Sequence, residues 1–458
     1  MRDSVARYLH RREFFGHPSG LYVLFFTEMW ERFSYYGMRA LLVLYMTQYL
    51  LTDPARAAEV FGYNSLHNFL VSMYGEMNIQ QMSSQIYGLY TGLVYATPLV
   101  GGLLADKLWG QRKTVYVGGV LMAIGHFLMA SEQHFLFALL FLVLGNGAFK
   151  PNISTQVGSL YDENDPRRDS AFGIFYMGIN LGATFSPLIC GYLGQKVGWH
   201  WGFGAAGVGM IFGLAIYWLG SRLLPQDSKH KLAETREVKK SLTSAEKKSI
   251  FAIICLCFLN IFFWAIYEQQ GNVLQLWVDE KVDWNFWGWE MPSTFFQSLN
   301  PALIFILTPL LASYWVWKAK VSKSISSSIT KMGIGSIYCG LAYIVIIMAE
   351  KFMPAVGKTT PLWTVLTVLI FTLGELYFSP IGLSLVNKMA PRRLLSTMMG
   401  VWLLSSAFGN LASGILGSFY SLMSPTQFFL LMTVLGVAAG FFFLIVRRPI
   451  EKTLGKTL

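Results

Sequence analysis

The stretch LYVLFFTEMWERFSYYGMRALLVLYM, Leu21 to Met46, sets four charged side chains (Glu28, Glu31, Arg32 and Arg39) in an otherwise apolar run. The run is long enough to cross ~30 Å of hydrocarbon as a helix. Glu28, Arg32, Tyr35 and Arg39 recur at steps of four, three and four, which places them along one helical stripe. Glu28 precedes Arg32 by four residues, the favourable order for a helical ion pair, with Glu31 beside the pair and Tyr36 beside Tyr35. A charge at bilayer depth costs at least ~2.5–3.5 kcal/mol on insertion scales, so such groups face protein or water. A purely structural ion network is one reading, but it is costly to bury, and a packing seam would use small residues. The stripe therefore reads first as a functional site.

The chain is 458 residues long, 54% hydrophobic and only 13% charged, with a mean hydropathy of +0.45. A soluble domain carries about 25% charged residues, so the solvent here is mostly lipid. Twelve apolar stretches follow one another, at 21–50, 84–106, 114–131, 134–158, 170–194, 200–222, 249–278, 293–317, 324–350, 360–388, 395–421 and 426–447. They predict an all-α membrane protein with twelve transmembrane helices and both termini cytoplasmic. Six of the stretches lie before a polar linker, 223–248, and six after it, giving an N-terminal bundle at 1–222 and a C-terminal bundle at 249–458. With the N-terminus inside, most basic residues fall on inner segments, among them Lys107, Arg112, Lys113, Lys247, Lys248, Arg447 and Arg448. That scatter over separate inner loops accounts for the net charge of +11 without nucleic acid as a partner. The first apolar run is too long and too charged to be a cleavable signal. The outer segment 51–83 holds an amphipathic run, FGYNSLHNFLVSMYGEMNIQQM, expected to extend the second helix outward.

Three more spans carry charge. FLVLGNGAFKPNISTQVG, Phe141 to Gly158, places Lys150 mid-span beside Pro151, whose ring disrupts the bond to the carbonyl of Gly147. A lysine there can bind an anion, pair with a carboxylate, or titrate when its partner leaves. IFFWAIYEQQGNVL contains Glu268 and TLGELYFSPIGLSLVNK contains Glu375, neither with a basic residue within one turn. Each is a candidate proton acceptor or ammonium binder. Cations thus gather in the first half and Glu375 sits in the second, a division that suits a zwitterion such as a short peptide. Aromatic walls would accept varied side chains. The four cysteines all lie in apolar spans, where core packing is the simpler reading. Neither H-E-x-x-H nor G-x-S-x-G occurs, and the seven histidines are scattered, so an enzyme is not expected.

At these residues the chain resembles the proton-dependent oligopeptide transporter family of the major facilitator superfamily. EMWERFSYYG, Glu28 to Gly37, is similar to the family's E-x-x-E-R-F-x-Y-Y-G signature. FYMGINLGATFSP (Phe175 to Pro187) resembles its fifth-helix signature, and FWAIYEQ (Phe263 to Gln269) its seventh-helix motif. GGLLADKLWGQRK (Gly101 to Lys113) resembles the superfamily's loop between helices two and three.

The resemblance implies a symporter of di- and tripeptides with protons as coupling ion, no other cofactor, a monomer, and a place in the bacterial inner membrane. Glu28, Glu31, Arg32, Lys150 and Glu268 match the proton-coupling residues. Arg32 and Lys150 would receive the peptide carboxylate and Glu375 its amino terminus. Asn180 and Asn300 would bind the peptide's ends or backbone, while Tyr35, Tyr36, Tyr95 and Trp402 would shape the pocket. Asp106 and Arg112 would brace the cytoplasmic gate. The linker is too polar and short for the two extra helices of many bacterial relatives. The second span lacks the titratable histidine of animal relatives, which puts coupling on carboxylates, and the short loop between spans nine and ten suits a bacterial origin. The same fold carrying nitrate or a peptide-like drug, or acting as a nutrient sensor, is the alternative.

Overall fold

The computed structural model describes residues 13–162, 165–225, 242–322, 327–354 and 357–454. Most of the linker, with Lys229, Lys231, Arg236, Lys239 and Lys240, lies outside the described residues, as do Arg2, Arg7, Arg11 and Arg12.

Each of the twelve apolar stretches falls on a helix. In chain order these are α1 (Ser19–Tyr45), α2 (Ile79–Trp109), α3 (Gln111–Leu128), α4 (Glu132–Ser159), α5 (Arg167–Val197), α6 (Trp199–Leu223), α7 (Ser244–Lys281), α8 (Ser293–Val321), α9 (Ser328–Lys351), α10 (Pro361–Met389), α11 (Arg392–Leu422) and α12 (Pro425–Lys452). Ten of them are long and apolar enough to cross a membrane. The other two are α1, made polar by its charged stripe, and α3, which opens on Arg112 and Lys113 and carries His126.

The outer segment departs from expectation. Its amphipathic run forms a separate helix, Tyr63–Tyr74, rather than an extension of α2. Gly75, in a left-handed conformation at φ 82°, stops that helix. Asn78 and Gln81 then cap the start of α2 reciprocally, each side chain accepting from the other's backbone N–H at 2.9 Å. The chain is also not wholly helical. Two hairpins pair Glu13–Phe14 with His17–Pro18 and Asn285–Phe286 with Trp289–Glu290.

The fold divides into two compact units, Met1–Glu76 with Ala96–Thr235, and Met77–Tyr95 with Arg236–Leu458. The second boundary falls in the polar linker, but the outer part of α2 packs with the second unit. The α2 helix is interrupted at Thr97, just before Pro98. In the second unit, α7 begins with a capping box in which Thr243 and Glu246 bond each other's backbone. It breaks into a 3₁₀ turn at Glu268–Gly271, and Asn272 leaves helical geometry altogether. Ser84 Oγ of α2 donates to the Asn272 carboxamide at 2.9 Å, and Gln269 Nε2 donates to the Ser413 carbonyl of α11 at 2.8 Å. Those bonds tie the break in α7 to α2 and α11.

In the first unit the fifth-helix motif is a packing device. Gly178 and Gly182, four apart on α5, let the α1 backbone approach: a Cβ on Gly178 would lie 3.0 Å from the Phe25 carbonyl oxygen, and one on Gly182 would collide with the Met29 carbonyl. Gly182→Leu should therefore lower the unfolding temperature sharply, since overpacking against backbone costs about 1–3 kcal/mol or more. Gly173→Ala on the same helix meets nothing within 4 Å and should leave the temperature unchanged. Equal melting of both variants in detergent would refute this contact.

Candidate functional site

In the first unit the α1 stripe folds inward. Glu28, Glu31 and Arg32 are buried, at 2%, 0% and 3% exposure. Arg32 Nε lies 3.2 Å from Glu28 Oε1 and donates to Glu31 Oε2. The adjacent α4 contributes Asn146, whose Nδ2 donates to Glu31 Oε1 at 3.2 Å. Half-buried Lys150, one turn further along α4, acts electrostatically on Glu28. Two carboxylates and two cations are thus gathered on two helices, balanced in formal charge. The balance matters, because an uncompensated charge here would cost several kcal/mol.

The balance is not fully saturated by hydrogen bonds. Glu28 Oε2 and Arg32 Nη2 are buried with no hydrogen-bond partner among the described residues. A buried cluster with spare donor and acceptor capacity can take a proton or an anionic group without being dismantled. Aromatic rings complete its rim: the Tyr35 ring centroid lies 5.2 Å from Arg32 Cζ, Tyr36 packs 5.1 Å from Tyr35, and Arg39 approaches the Tyr36 ring at 5.9 Å. Two residues beyond Arg32, Ser34 of α1 hydrogen-bonds buried His126 of α3. Asn180 is buried on α5, but its Nδ2 donates to the Tyr176 carbonyl of its own helix at 2.9 Å. Arg112 ties the start of α3 to the end of α6 through the carbonyls of Ser221 and Leu224, whereas Asp106 is exposed on the Ala105–Trp109 turn.

The second unit holds a different arrangement. Glu375 of α10 is half-buried, and its Oε2 accepts from the Tyr267 hydroxyl of α7 at 2.5 Å and from Asn300 Nδ2 of α8 at 3.0 Å. Asn300 also donates to Thr372 Oγ1 at 3.1 Å, which fixes its amide. Three helices therefore aim one carboxylate. Tyr267 is itself held by Phe263, stacked at 5.7 Å, and by Trp264 at 5.5 Å, while Tyr95 of α2 lies 6.1 Å from Trp264. Trp402 of α11 is buried against Gly382 of α10, where any side chain would strike its ring. Glu268 is buried at the 3₁₀ break of α7 and accepts from the Tyr87 hydroxyl at 3.4 Å.

Within each unit the structure joins residues that the sequence scatters. It also adds Asn146, Tyr267, Thr372 and Tyr87, which sequence reasoning did not single out. Two of these carried a signal. Asn146 stands four residues before Lys150, on the same helical face, and Tyr267 lies inside the seventh-helix motif, next to Glu268. The cluster on α1 and α4 joins every first-half coupling residue expected from the sequence.

Comparison with known proteins agrees with this architecture. The family model described as the POT family matches residues 112–249 and 228–429. Similar relatives include a peptide transporter of Yersinia enterocolitica, 33% identical with 97% of each chain covered, and a di-/tripeptide transporter of Lactococcus lactis, 33% identical over 97% of this chain and 98% of that one. A crystal structure of a mutant peptide transporter POT with alafosfalin superposes with a TM-score of 0.85 at 31% identity, covering 99% of both chains. One of a POT family transporter with 5-aminolevulinic acid gives 0.82 at 30% identity, covering 97% of this chain and 99% of that one. The chain is a multi-pass membrane protein and belongs to the POT family.

Proposed function

We propose that this protein is a proton-coupled symporter of di- and tripeptides, working by alternating access in a bacterial inner membrane. The observation that carries the proposal is the division of charge: a balanced cluster around Arg32 and Lys150 within the first unit, and within the second a carboxylate, Glu375, held by the neutral donors Tyr267 and Asn300. A peptide of two or three residues carries the complementary charges at its ends. Its carboxylate goes to Arg32 and Lys150, and its ammonium to Glu375. Asn180 and Asn300 bind its backbone, and Tyr35, Tyr36, Tyr95 and Trp402 form apolar walls.

Protons are the coupling ion and no further cofactor is needed. Glu28 and Glu31 exchange protons as Arg32 and Lys150 change partners, and Glu268, at the break of α7, couples protonation to the outer part of that helix. Asp106 and Arg112 belong to the inner gate. In this reading all twelve long helices span the bilayer, α1 and α3 included, because the charges of α1 are paired and buried. Both termini are cytoplasmic, residues 1–222 and 249–458 supply six spanning helices each, before and after the linker 223–248, and the working form is a monomer.

The test is uptake of labelled dialanine into proteoliposomes with an acid exterior. Each pH unit stores about 1.4 kcal/mol per proton, so a one-unit gradient should concentrate dialanine up to about tenfold per coupled proton. A tripeptide should compete and nitrate should not. Competition by nitrate, or equilibration without accumulation, would overturn the proposal.

A further inference from the structure

Away from the charged site, the segment between α7 and α8 presents aromatic rings to its surroundings. Residues 285–290 read NFWGWE and fold as a hairpin whose two-residue turn is Trp287–Gly288. Both turn residues have positive φ, 52° and 86°, the geometry for which Asn-Gly is the usual choice. A bulky side chain is strained there, and this one is an indole that stands fully exposed, flanked by exposed Phe286 and Trp289. A Cβ on Gly288 would meet nothing within 4 Å, so the tip stands clear of the protein. The turn is nonetheless firmly built: Asn285 Oδ1 accepts from the Gly288 N–H at 2.9 Å, and Asp283 Oδ1 from the Asn285 N–H at 3.0 Å. The same construction occurs before α1, where the Phe15–Gly16 turn has φ 48° and 76° and leaves Phe14 and Phe15 exposed. Twice, then, a bulky aromatic residue occupies a left-handed hairpin position beside the end of a long helix.

The base of the hairpin after α7 fixes where its rings go. Thr359, just before α10, pairs with its foot: the Asp283 N–H donates to the Thr359 carbonyl and the Thr359 N–H to the Lys281 carbonyl, each at 2.8 Å. Val282 follows directly on α7, and the five residues from there to Trp287 reach at most ~18 Å. Trp289 leans on Phe295 in the first turn of α8, with ring centroids 6.3 Å apart. Among the ten strongly apolar helices α8 is the least buried, and Phe305, Ile306 and Leu310 are exposed along it, a surface that lipid covers in a multi-pass protein. The hairpin therefore continues lipid-facing surface at the level where a span ends. Indole rings concentrate at that level, between headgroups and acyl chains, because each is an apolar body with one polar N–H. The charged residues nearest in sequence, Glu280, Asp283 and Glu290, are acidic, and Lys281 pairs with Glu280 at 2.7 Å. That balance offers anionic headgroups no attraction, so ring burial rather than charge is what the tip provides.

We propose that the Asn285–Glu290 hairpin is an interfacial membrane anchor. Trp287, with Phe286 and Trp289, inserts into the boundary between headgroups and acyl chains and holds the adjoining ends of α7 and α8 at a fixed depth. Anionic and zwitterionic lipids serve equally.

Fluorine NMR of the full chain carrying fluorotryptophan, in lipid nanodiscs, tests this, with Trp287→Phe and Trp289→Phe identifying the two resonances. A lipid spin-labelled near the top of its acyl chain should broaden the Trp287 resonance, and a water-soluble gadolinium chelate should not, in phosphatidylcholine and phosphatidylglycerol alike. Asn suits the left-handed turn, so Trp287→Asn should keep or raise the melting temperature in detergent. In the same variant the Trp289 resonance should lose its lipid broadening and become sensitive to the chelate. Broadening of Trp287 by the chelate and not by the lipid would overturn the proposal. So would protection from both probes, which would put the tip against protein, or insertion into phosphatidylglycerol alone. A sharp fall in the melting temperature of Trp287→Asn would make the tip a packing element and count equally against an anchor.

Discussion

Glu375→Gln is expected to raise the KM for dialanine about 100-fold with little change in protein yield or melting temperature. The carboxamide has the shape of the carboxylate, and its oxygen still accepts from the Tyr267 hydroxyl and from Asn300 Nδ2. No cavity opens and no donor loses its acceptor, so stability is spared. What disappears is the charge that faces the peptide ammonium. Removing one partner of a desolvated, hydrogen-bonded charge pair costs about 2–5 kcal/mol, and about 2.7 kcal/mol is a factor of 100. N-acetyl-dialanine, which has no ammonium, should bind the unsubstituted protein weakly and the variant no worse. If the KM for dialanine is unchanged, Glu375 does not receive the amino terminus, and a substrate without an ammonium group such as nitrate comes back into view.

The second large effect concerns energy coupling. Glu28→Gln or Glu31→Gln should reduce gradient-driven accumulation of dialanine to simple equilibration while leaving counterflow exchange near its original rate. Glu31→Gln keeps an oxygen for Arg32 Nε and turns its amide nitrogen toward Asn146, whose carboxamide can flip to accept, and Glu28→Gln still offers an oxygen to Arg32 Nε, so the helices stay joined. Each substitution leaves two cations facing one carboxylate, a state the proton cycle cannot reset because the amide does not titrate. Peptide carboxylate can still occupy the spare positive charge, which is why exchange survives. Loss of both activities would make the residues structural, and loss of neither would move coupling elsewhere.

Much of this was legible in the sequence, for identifiable reasons. The twelve helices follow from apolar runs near the length that crosses a bilayer, and the Glu28–Arg32 contact follows from a spacing of four along one helix. The Gly178 and Gly182 spacing is a small-residue seam, visible in the fifth-helix motif once its packing is known. The clasp on Glu375 was out of reach: Tyr267 and Asn300 are 108 and 75 residues away in sequence, and no local period records which helix faces which. The hairpins escaped for another reason. Their strands are two residues long, and their turns put Phe15 and Trp287 at φ 48° and 52°, positions where Asn or Gly is the usual signal. The amphipathic run after Phe61 was misassigned because its periodicity passes through Gly75, where the backbone turns away.

The central claim is that intramembrane charges exchange partners with protons as peptide passes. Proteoliposomes loaded with a pH-sensitive dye, at equal pH on both sides and with the membrane potential clamped at zero, test it most directly. Adding dialanine outside should acidify the lumen in step with peptide entry, and Glu28→Gln should abolish the acidification. Peptide entry into the lumen with no change of internal pH would contradict it.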